Sequence, residues 1–287
     1  MIINALSIDV EEYYHGMEFE AAVPAPEREK LPSRVEESVE KILALLGTLS
    51  VHATFFTVGQ VAERHPAMIR CISQQGHEVA CHSYKHELVW RQTPAEFRAD
   101  VQRAKALLED LTGAAVVGYR APNYSIRQEQ AWAYDILLEE GFLYDSSVYP
   151  ILHDRYGDPD APRFPYVIRQ NGEQALIEFP IGTLKVLGMN LPIGGGGYFR
   201  LLPGTWSRRG IQRVNRQEGQ PVMFYFHPWE LDPHHPRPPM PWRHSFRHYV
   251  GIEKQETKLF QLLRHCRFGT VKEALRQTRE VRISLNH

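Results

Sequence analysis

The sequence predicts an α/β fold in which parallel strands, joined by helices, form a barrel. Apolar segments rich in β-branched and aromatic residues alternate with amphipathic helical patterns along the whole chain. The strand segments are apolar on both faces, as expected of strands buried in a parallel sheet. About seven such units favour a closed barrel over an open sheet, and a barrel presents its reactive side chains at the carboxyl ends of its strands.

The first half of the chain contains four predicted strand–helix units. We expect strands at 3–9, 51–59, 77–82 and 116–122, and helices at 33–50, 61–76, 93–113 and 125–141. The helix at 93–113 has the strongest signals, because Thr93 stands at the N-cap, Glu96 follows three residues later and Gly113 lies beyond the end.

The second half continues the alternation with longer connections. We expect strands at 142–147, 175–181 and 221–228, and helices at 204–217, 252–266 and 270–277. Two further segments, 191–203 and 227–244, are too long and too specialised in composition to be simple connectors.

The size and charge of the chain limit the classes of function. A chain of 287 residues suits one large α/β domain, and its net charge of −1 gives no reason to expect nucleic acid as a partner. No segment approaches the roughly 18 apolar residues that a membrane-spanning helix needs. Three cysteines without paired spacing, and an N-terminus without a basic, apolar leader, predict a cytoplasmic protein. Peripheral attachment to a membrane stays open.

Chemically active side chains follow the predicted strands. They are Asp9, Glu11 and Glu12 after the first strand, His82 and His86 after the third, Arg120 after the fourth, Asp145 in the fifth and His227 in the last main strand. Two imidazoles and one carboxylate, with positions left for water, are the ligands of a hydrolytic zinc-type site. A second carboxylate could take a proton from water, and a separate histidine could protonate the leaving group.

Each motif also has a plain structural interpretation. The HxxxH pair alone is weak evidence for a metal, and the DVEE segment is typical of a solvated turn. Arg120 alone suits a surface ion pair, and Cys81 suits a small buried side chain. His234 and His235 lie in a proline-rich segment that resembles an exposed loop. Only the joint occurrence of the other groups at strand ends favours a catalytic site.

The order of these motifs resembles the polysaccharide deacetylases of carbohydrate esterase family 4. The matching segments are the acidic end of the first strand, HSYKH, RAP and FYFH. The segments LSIDVEEYYH, IGGGGYFRLLPG and RHYVGIEKQETKLFQLL resemble more narrowly a subfamily encoded with exosortase and PEP-CTERM exopolysaccharide loci. The resemblance implies a distorted (β/α)7 barrel in a single domain over 1–287, with a family-specific extension at about 228–287.

The resemblance also implies a role for individual residues. Asp9 is expected to be the catalytic base, His227 the catalytic acid and Arg120 the residue that positions the base. His82 and His86 are expected to bind a divalent metal. Zn²⁺ is the expected ion, with Co²⁺, Ni²⁺ and Mn²⁺ as alternatives.

The sequence departs from the family pattern at several positions. A valine, Val10, follows the expected base where the family has a metal-binding aspartate, so Glu11 is the expected third ligand and Glu12 the alternative. In the third motif Asn123 separates the proline from the aromatic residue, and the fourth motif lacks its tryptophan. The residues expected to contact substrate are Pro122, Tyr124, Asp145, Gly195, Gly196, Tyr198 and Trp229.

The four glycines at 194–197 predict a loop over the barrel rim whose bare backbone lets a sugar approach closely. A phosphate cradle would need a following Lys-Ser/Thr, which is missing, and a flexible linker is the alternative.

The resemblance implies deacetylation of an N-acetylated sugar polymer during exopolysaccharide synthesis. The alternatives are an allantoinase-like cyclic-amide hydrolase on the same fold, or a saccharide-binding barrel without catalysis. The partner expected in each sugar-directed case is an N-acetylated oligo- or polysaccharide, and homo-oligomers stay possible.

Overall fold

The protein is a barrel of parallel strands with helices on its outer side, in a computed structural model that describes residues 2–28 and 30–278. The last part of the predicted C-terminal extension, 279–287, lies outside the described residues. The strands are β1 (Asn4–Val10), β2 (Thr54–Thr57), β3 (Glu78–Cys81), β4 (Gly118–Tyr119), β5 (Tyr144–Asp145), β6 (Tyr166–Asn171), β7 (Gln174–Glu178), β8 (Thr183–Val186), β9 (Met189–Pro192), β10 (Met223–Phe226) and β11 (Phe268–Gly269).

The helices follow the strands in the alternation that the sequence predicts. They are α1 (Met17–Ala22), α2 (Ala25–Arg28), α3 (Val35–Leu49), α4 (Gly59–Arg64), α5 (Pro66–Gln74), α6 (Pro94–Thr112), α7 (Trp132–Glu139), α8 (Gly196–Leu201), α9 (Gly204–Gln217), α10 (Trp242–Tyr249), α11 (Gln255–His265) and α12 (Val271–Leu275).

Parallel pairing closes the barrel. Within the described residues, the parallel strands lie in the order β10, β1, β2, β3, β4, β5, β7. The ring closes where the chain beyond β7 returns to β10, because Ile181 forms a parallel bridge with Met223 and Gly195 forms one with Tyr225. The predicted α/β barrel is therefore confirmed.

Alternation along β1 determines which side chains reach the inside of the barrel. Leu6, Ile8 and Val10 pack in the large apolar cluster with the outer helices, whereas Ala5 packs in the interior cluster. Since successive residues of a strand point to opposite faces, Ser7 and Asp9 share the interior face with Ala5.

Most predicted helices are confirmed, and α6 agrees to within one residue at each end. The Thr93 Oγ1 accepts a hydrogen bond from the Glu96 amide at 3.3 Å, and Gly113 has φ +65° at the C-cap. Two predicted helices differ from the structure. The one at 61–76 is two helices, α4 and α5, because Pro66 starts a new helix after the non-helical His65. The one at 125–141 is the shorter α7, preceded by a 3₁₀ turn.

Four strands, β6, β8, β9 and β11, have no counterpart among the strands predicted from the sequence. β6 pairs antiparallel with β7, and β8 pairs antiparallel with β9 as a hairpin. The two long segments also contain unexpected helices: 191–203 includes α8, and 227–244 includes a 3₁₀ turn at Pro228–Leu231 and the start of α10.

Candidate active site and metal centre

Glu11, His82 and His86 meet at the carboxyl ends of β1 and β3. One donor atom from each residue lies within 4.8 Å of the other two, and all three side chains are buried. The Glu11 Oε2 is 2.7 Å from His86 Nε2 and 3.9 Å from His82 Nε2. Two imidazole nitrogens and a carboxylate oxygen at this spacing fit a divalent cation such as Zn²⁺.

Hydrogen bonding fixes the tautomer of His82. Its Nδ1 lies 2.7 Å from the backbone carbonyl oxygen of Arg120. Because a carbonyl oxygen can only accept, Nδ1 carries the proton and the Nε2 lone pair faces Glu11. Burial lowers the pKa of His82 to about 4, so the imidazole is neutral at physiological pH, as a metal ligand must be.

The two candidate carboxylates of the third ligand point in different directions. The Glu12 carboxylate accepts hydrogen bonds from the Ser33 hydroxyl and from the backbone N–H of Arg34. Glu11 instead lies beside the histidines, and although burial opposes its ionisation, His86 and His227 hold its pKa below the usual range. The arrangement places Glu11, rather than Glu12, in the donor group.

Asp9 is held by a guanidinium inside the barrel. The fully buried Arg120 donates from Nη1 to Asp9 Oδ1 at 2.6 Å and to the Ser7 hydroxyl at 2.9 Å. Its other nitrogens donate to the backbone oxygen and the hydroxyl of Ser146 at 3.1 and 2.9 Å, and its plane lies over the Phe56 ring. These contacts leave Asp9 Oδ2 available on the side of the carboxylate that faces the cleft.

His227 follows β10 on the other side of the site. Its Nε2 is 3.9 Å from Asp9 Oδ2 and 3.8 Å from Glu11 Oε1. Burial opposes the charged form, but Glu11, Glu230 and Asp9 together raise the pKa of His227 to about 9. The imidazolium is therefore populated at neutral pH, and its Nε2–H can donate a proton into the site.

Glu230 orients His227, and it is not among the site residues predicted from the sequence. Its Oε1 is 2.7 Å from His227 Nδ1, and its Oε2 accepts from Gln255 Nε2 at 3.0 Å and pairs with Arg200 Nε at 3.1 Å. One signal was available, because a glutamate three residues after a strand-terminal histidine can turn back onto it.

Three further residues in and around the site also escape the sequence analysis. Ser7 and Ser146 accept the hydrogen bonds of Arg120 described above, and His15 stacks on His86 with ring centroids 5.1 Å apart. Burial lowers the pKa of His15 to about 3, so its neutral ring packs beside the candidate ligands without adding charge. Serines and a histidine in these positions carry no distinctive sequence pattern.

A cleft of about 330 Å³ opens over these groups. Asp9, Glu11, His82, Arg120 and His227 all line it. Of the residues predicted to contact substrate, Tyr124, Tyr198 and Trp229 also line the cleft. Its outer walls come from α1, the segment 153–156, α8 and α10.

The other four predicted substrate residues do not line the cleft. They are Pro122, Asp145, Gly195 and Gly196. Pro122 and Asp145 are buried beneath it. Asp145 Oδ1 accepts from the Ser147 hydroxyl, whose oxygen in turn accepts from the Ala121 amide at 2.8 Å. Asp145 thus supports the loop that carries Arg120.

Gly195 and Gly196 pack against Tyr225 where the barrel closes. Gly195 has φ +111°, and a Cβ there would lie 1.9 Å from the Tyr225 backbone oxygen. A Cβ on Gly196 would lie 2.2 Å from the Tyr225 hydroxyl. The space beside these two glycines, where a sugar was predicted to approach, is occupied by β10. Gly197 is the glycine of this run that lines the cleft.

Two family models together cover most of the chain. Residues 29–135 match the polysaccharide deacetylase family, and residues 146–276 match a domain of unknown function, DUF3473. The similarity to the polysaccharide deacetylases thus covers the part of the chain that carries His82, His86 and Arg120. The DUF3473 match begins well before residue 228, where the sequence analysis places a family-specific extension.

Curated relatives are similar to this chain over part of their length. A peptidoglycan deacetylase of Helicobacter pylori is 27% identical over 146 residues, which are 51% of this chain and 45% of the relative. A peptidoglycan-N-acetylglucosamine deacetylase of Bacillus cereus is 33% identical over 98 residues, 34% of this chain and 36% of the relative. The chain therefore spans less than half the length of each.

Solved structures confirm the fold. A Mycobacterium smegmatis protein assigned to the polysaccharide deacetylases superposes with a TM-score of 0.63 at 19% identity, over 94% of this chain and 87% of the other. An allantoinase superposes with a TM-score of 0.60 at 17% identity, over 99% and 89%. Both share the (β/α)7 barrel.

Within residues 2–28 and 30–278, none of the helices combines the length and apolar character needed to cross a bilayer.

Proposed function

We propose that this protein is a metal-dependent hydrolase that removes acetyl groups from N-acetylated sugars of a polysaccharide. The observation that carries the proposal is the joint placement of a candidate metal centre, a positioned carboxylate and a carboxylate-bound imidazole in one cleft. Zn²⁺ is the proposed ion. The relatives that are named peptidoglycan deacetylases support the N-acetyl substrate.

The chain supplies both proton transfers of an amide hydrolysis. A divalent cation held by Glu11, His82 and His86 would supply Lewis acidity toward water and the acetyl carbonyl. Asp9, held through Oδ1 by Arg120, accepts the proton of the attacking water through its other oxygen. His227 donates the Nε2 proton to the sugar nitrogen as the C–N bond breaks, releasing acetate and the free amine. Because Asp9 Oδ2 and His227 Nε2 are 3.9 Å apart, both groups can serve one amide.

The lining of the cleft supports a saccharide substrate. Tyr124, Tyr156 and Tyr198 contribute aromatic surface to the cleft, and the catalytic side chains contribute polar groups. Large ligand sites combine such apolar walls with a few placed polar groups. The allantoinase neighbour has the same barrel, but at 17% identity the similarity concerns the fold alone.

Acetate release from N-acetylated chitooligosaccharides by the Zn²⁺-loaded protein tests the proposal. We expect acetate from the wild type, none above background from Asp9→Asn, and wild-type release from Asp110→Asn, an exposed position where the same chemical change is harmless. Turnover of allantoin without acetate release would favour the cyclic-amide hydrolase. Sugar binding without either reaction would favour a non-catalytic barrel.

We also propose that the reaction belongs to exopolysaccharide biosynthesis and takes place in the cytoplasm. The support is the subfamily resemblance in the sequence and three free cysteines, of which Cys81 and Cys266 are buried. Deleting the gene should raise the acetyl content of the secreted polymer. An unchanged polymer would leave the deacetylase chemistry standing and remove this role.

A further inference from the structure

Four exposed apolar side chains lie around the mouth of the cleft. Trp242 and Phe246 of α10 are 74% and 52% exposed, and Leu201 of α8 and Leu152 are 51% and 85% exposed. Phe246 and Leu201 line the cleft itself. We call Leu152, Leu201, Trp242 and Phe246 the rim patch.

Contacts between elements bring the rim patch together. Trp242 and Phe246 are four residues apart and so share one face of α10. Arg247 of α10 forms an ion pair with Asp154 at 3.0 Å, which ties α10 to the loop that carries Leu152. The opposite face of α10 is buried, because His248 stacks on Trp229 with ring centroids 4.3 Å apart.

The chain around the rim patch contains more arginines than acidic residues, and burial lowers the pKa of both His235 and His248. Between Asp232 and Glu253 the sequence contains three arginines and four histidines but no acidic residue, although the whole chain has a net charge of −1. Asp154 neutralises Arg247. Arg237 and Arg243 are exposed and have no carboxylate within ion-pair distance in the described part of the chain.

This combination matches one class of partner. A helix with Trp and Phe on one side and arginines beside them is typical of segments that lie in the interface of a bilayer. Trp rings favour the headgroup level, and exposed arginines are attracted to anionic headgroups. A protein partner would also cover apolar surface, but it gives no reason for a 20-residue stretch without a single carboxylate.

We propose that the rim patch docks this protein on an anionic lipid surface, with the mouth of the cleft facing that surface. Docking itself does not depend on the proposed activity. Its consequence, that the substrate is a saccharide carried at a membrane, rests on the proposed function.

Co-sedimentation with lipid vesicles tests the docking. We expect the wild type to bind vesicles of phosphatidylglycerol and phosphatidylcholine, to bind less as salt increases, and to bind pure phosphatidylcholine vesicles much more weakly. Arg243→Ser should weaken binding about fivefold, the effect expected for one cation near an anionic surface. Trp242→Ser/Arg243→Ser should weaken it at least tenfold.

A matched control is available on the β8–β9 hairpin. Leu187 and Met189 are 94% and 61% exposed but do not line the cleft. Leu187→Ser/Met189→Ser should therefore bind vesicles like the wild type. Equal losses in both double variants would show that general surface hydrophobicity is responsible and would overturn the proposal.

Three other results would also overturn it. They are the absence of wild-type binding to anionic vesicles, equal binding to neutral vesicles, and undiminished binding by Trp242→Ser/Arg243→Ser. Retention on heparin without vesicle binding would assign the patch to an acidic polymer instead. Trp242 and Arg243 do not line the cleft, so acetate release from soluble chitooligosaccharides should be unchanged in that variant. If neither the wild type nor the variant releases acetate, the proposed function is wrong, but the vesicle assay still tests the docking.

Discussion

His227 and Glu230 form a hydrogen-bonded pair across a single 3₁₀ turn, with Nδ1 and Oε1 2.7 Å apart. The pair turns the other imidazole nitrogen, Nε2, toward Asp9 and Glu11. Glu230 is itself fixed by Arg200 and Gln255. The acid of the proposed reaction is thus positioned by residues of the C-terminal half, whereas the base and the candidate ligands come from the N-terminal half.

Glu230→Ala should lower kcat of acetate release about 100-fold, because His227 loses the partner that sets its tautomer and orientation. Glu230→Gln keeps an acceptor and should retain more activity. KM and bound metal should stay near wild type in Glu230→Gln, and Glu253→Gln, on the exposed surface, serves as control. A change confined to KM would show that Glu230 acts on substrate binding instead.

Asp9→Asn and Glu11→Gln should separate the base from the metal ligand. Asp9→Asn should lower kcat roughly 10²–10⁴-fold, the usual range for one proton-transfer group, with metal content largely kept. Glu11→Gln should lose bound metal together with activity, because the amide is a much weaker ligand than a carboxylate. Elemental analysis of the purified variants measures this, and equal metal loss in both would mean that Asp9 is also a ligand.

Gly195→Ala should unfold or severely destabilise the protein. Gly195 has a φ that only glycine adopts readily, and the new methyl group would collide with the Tyr225 backbone at the barrel seam. The expected loss is about 4 kcal/mol or more. Gly172→Ala is the matched control, because Gly172 also has positive φ but open space around it, and it should cost only about 1 kcal/mol. Chemical denaturation distinguishes the two, and similar losses would show that backbone strain alone matters.

Asp145 of β5 and Glu178 of β7 are fully buried and stand opposite each other in the register of the two strands, and this pair should make stability fall as pH rises. Burial raises the pKa of Asp145 to about 6, and burial together with Asp145 raises the pKa of Glu178 well above its usual range. Unfolded carboxyl groups titrate near pH 4. Between about pH 4 and pH 7 the folded state therefore holds more protons than the unfolded state, and the free energy of unfolding decreases with pH.

Glu178→Gln removes one of the two carboxyl groups and should flatten this dependence. Relative to the variant, the wild type should lose stability as pH rises from 4.5 to 7. Urea denaturation at a series of pH values measures the difference, with Glu173→Gln on the exposed β6–β7 turn as control. Parallel profiles for wild type and Glu178→Gln would mean that the pair does not share a proton.

Local signals explain why much of the fold could be predicted from the sequence. The capping residues Thr93 and Glu96 and the terminal Gly113 define α6 without reference to the rest of the chain. The apolar strands of the barrel are equally visible, because both of their faces are buried. β6 could not be found in this way, since it is largely exposed, polar in places and interrupted by an irregularity between Val167 and Arg169.

The residue types of the site could be predicted from the sequence, but the contacts between its side chains could not. Strand ends of a parallel barrel converge, so the proximity of Asp9, His82 and His227 followed from their positions. Contacts such as Arg120 with Ser146 depend on how loops fold back after β4 and β5. The packing of Gly195 against the Tyr225 backbone could not be predicted either, because glycine suits both a substrate-binding loop and a tight backbone contact.

The residues that support His227 are synthesised after the candidate cation ligands. Glu11, His82 and His86 leave the ribosome before Glu230 and before Gln255, which holds Glu230. Until residue 255 has emerged, His227 therefore lacks part of the support that fixes its imidazole. Chains cut short ahead of Gln255 also lack α11 and β11, and β11 pairs with β1, so we expect such chains to release no acetate.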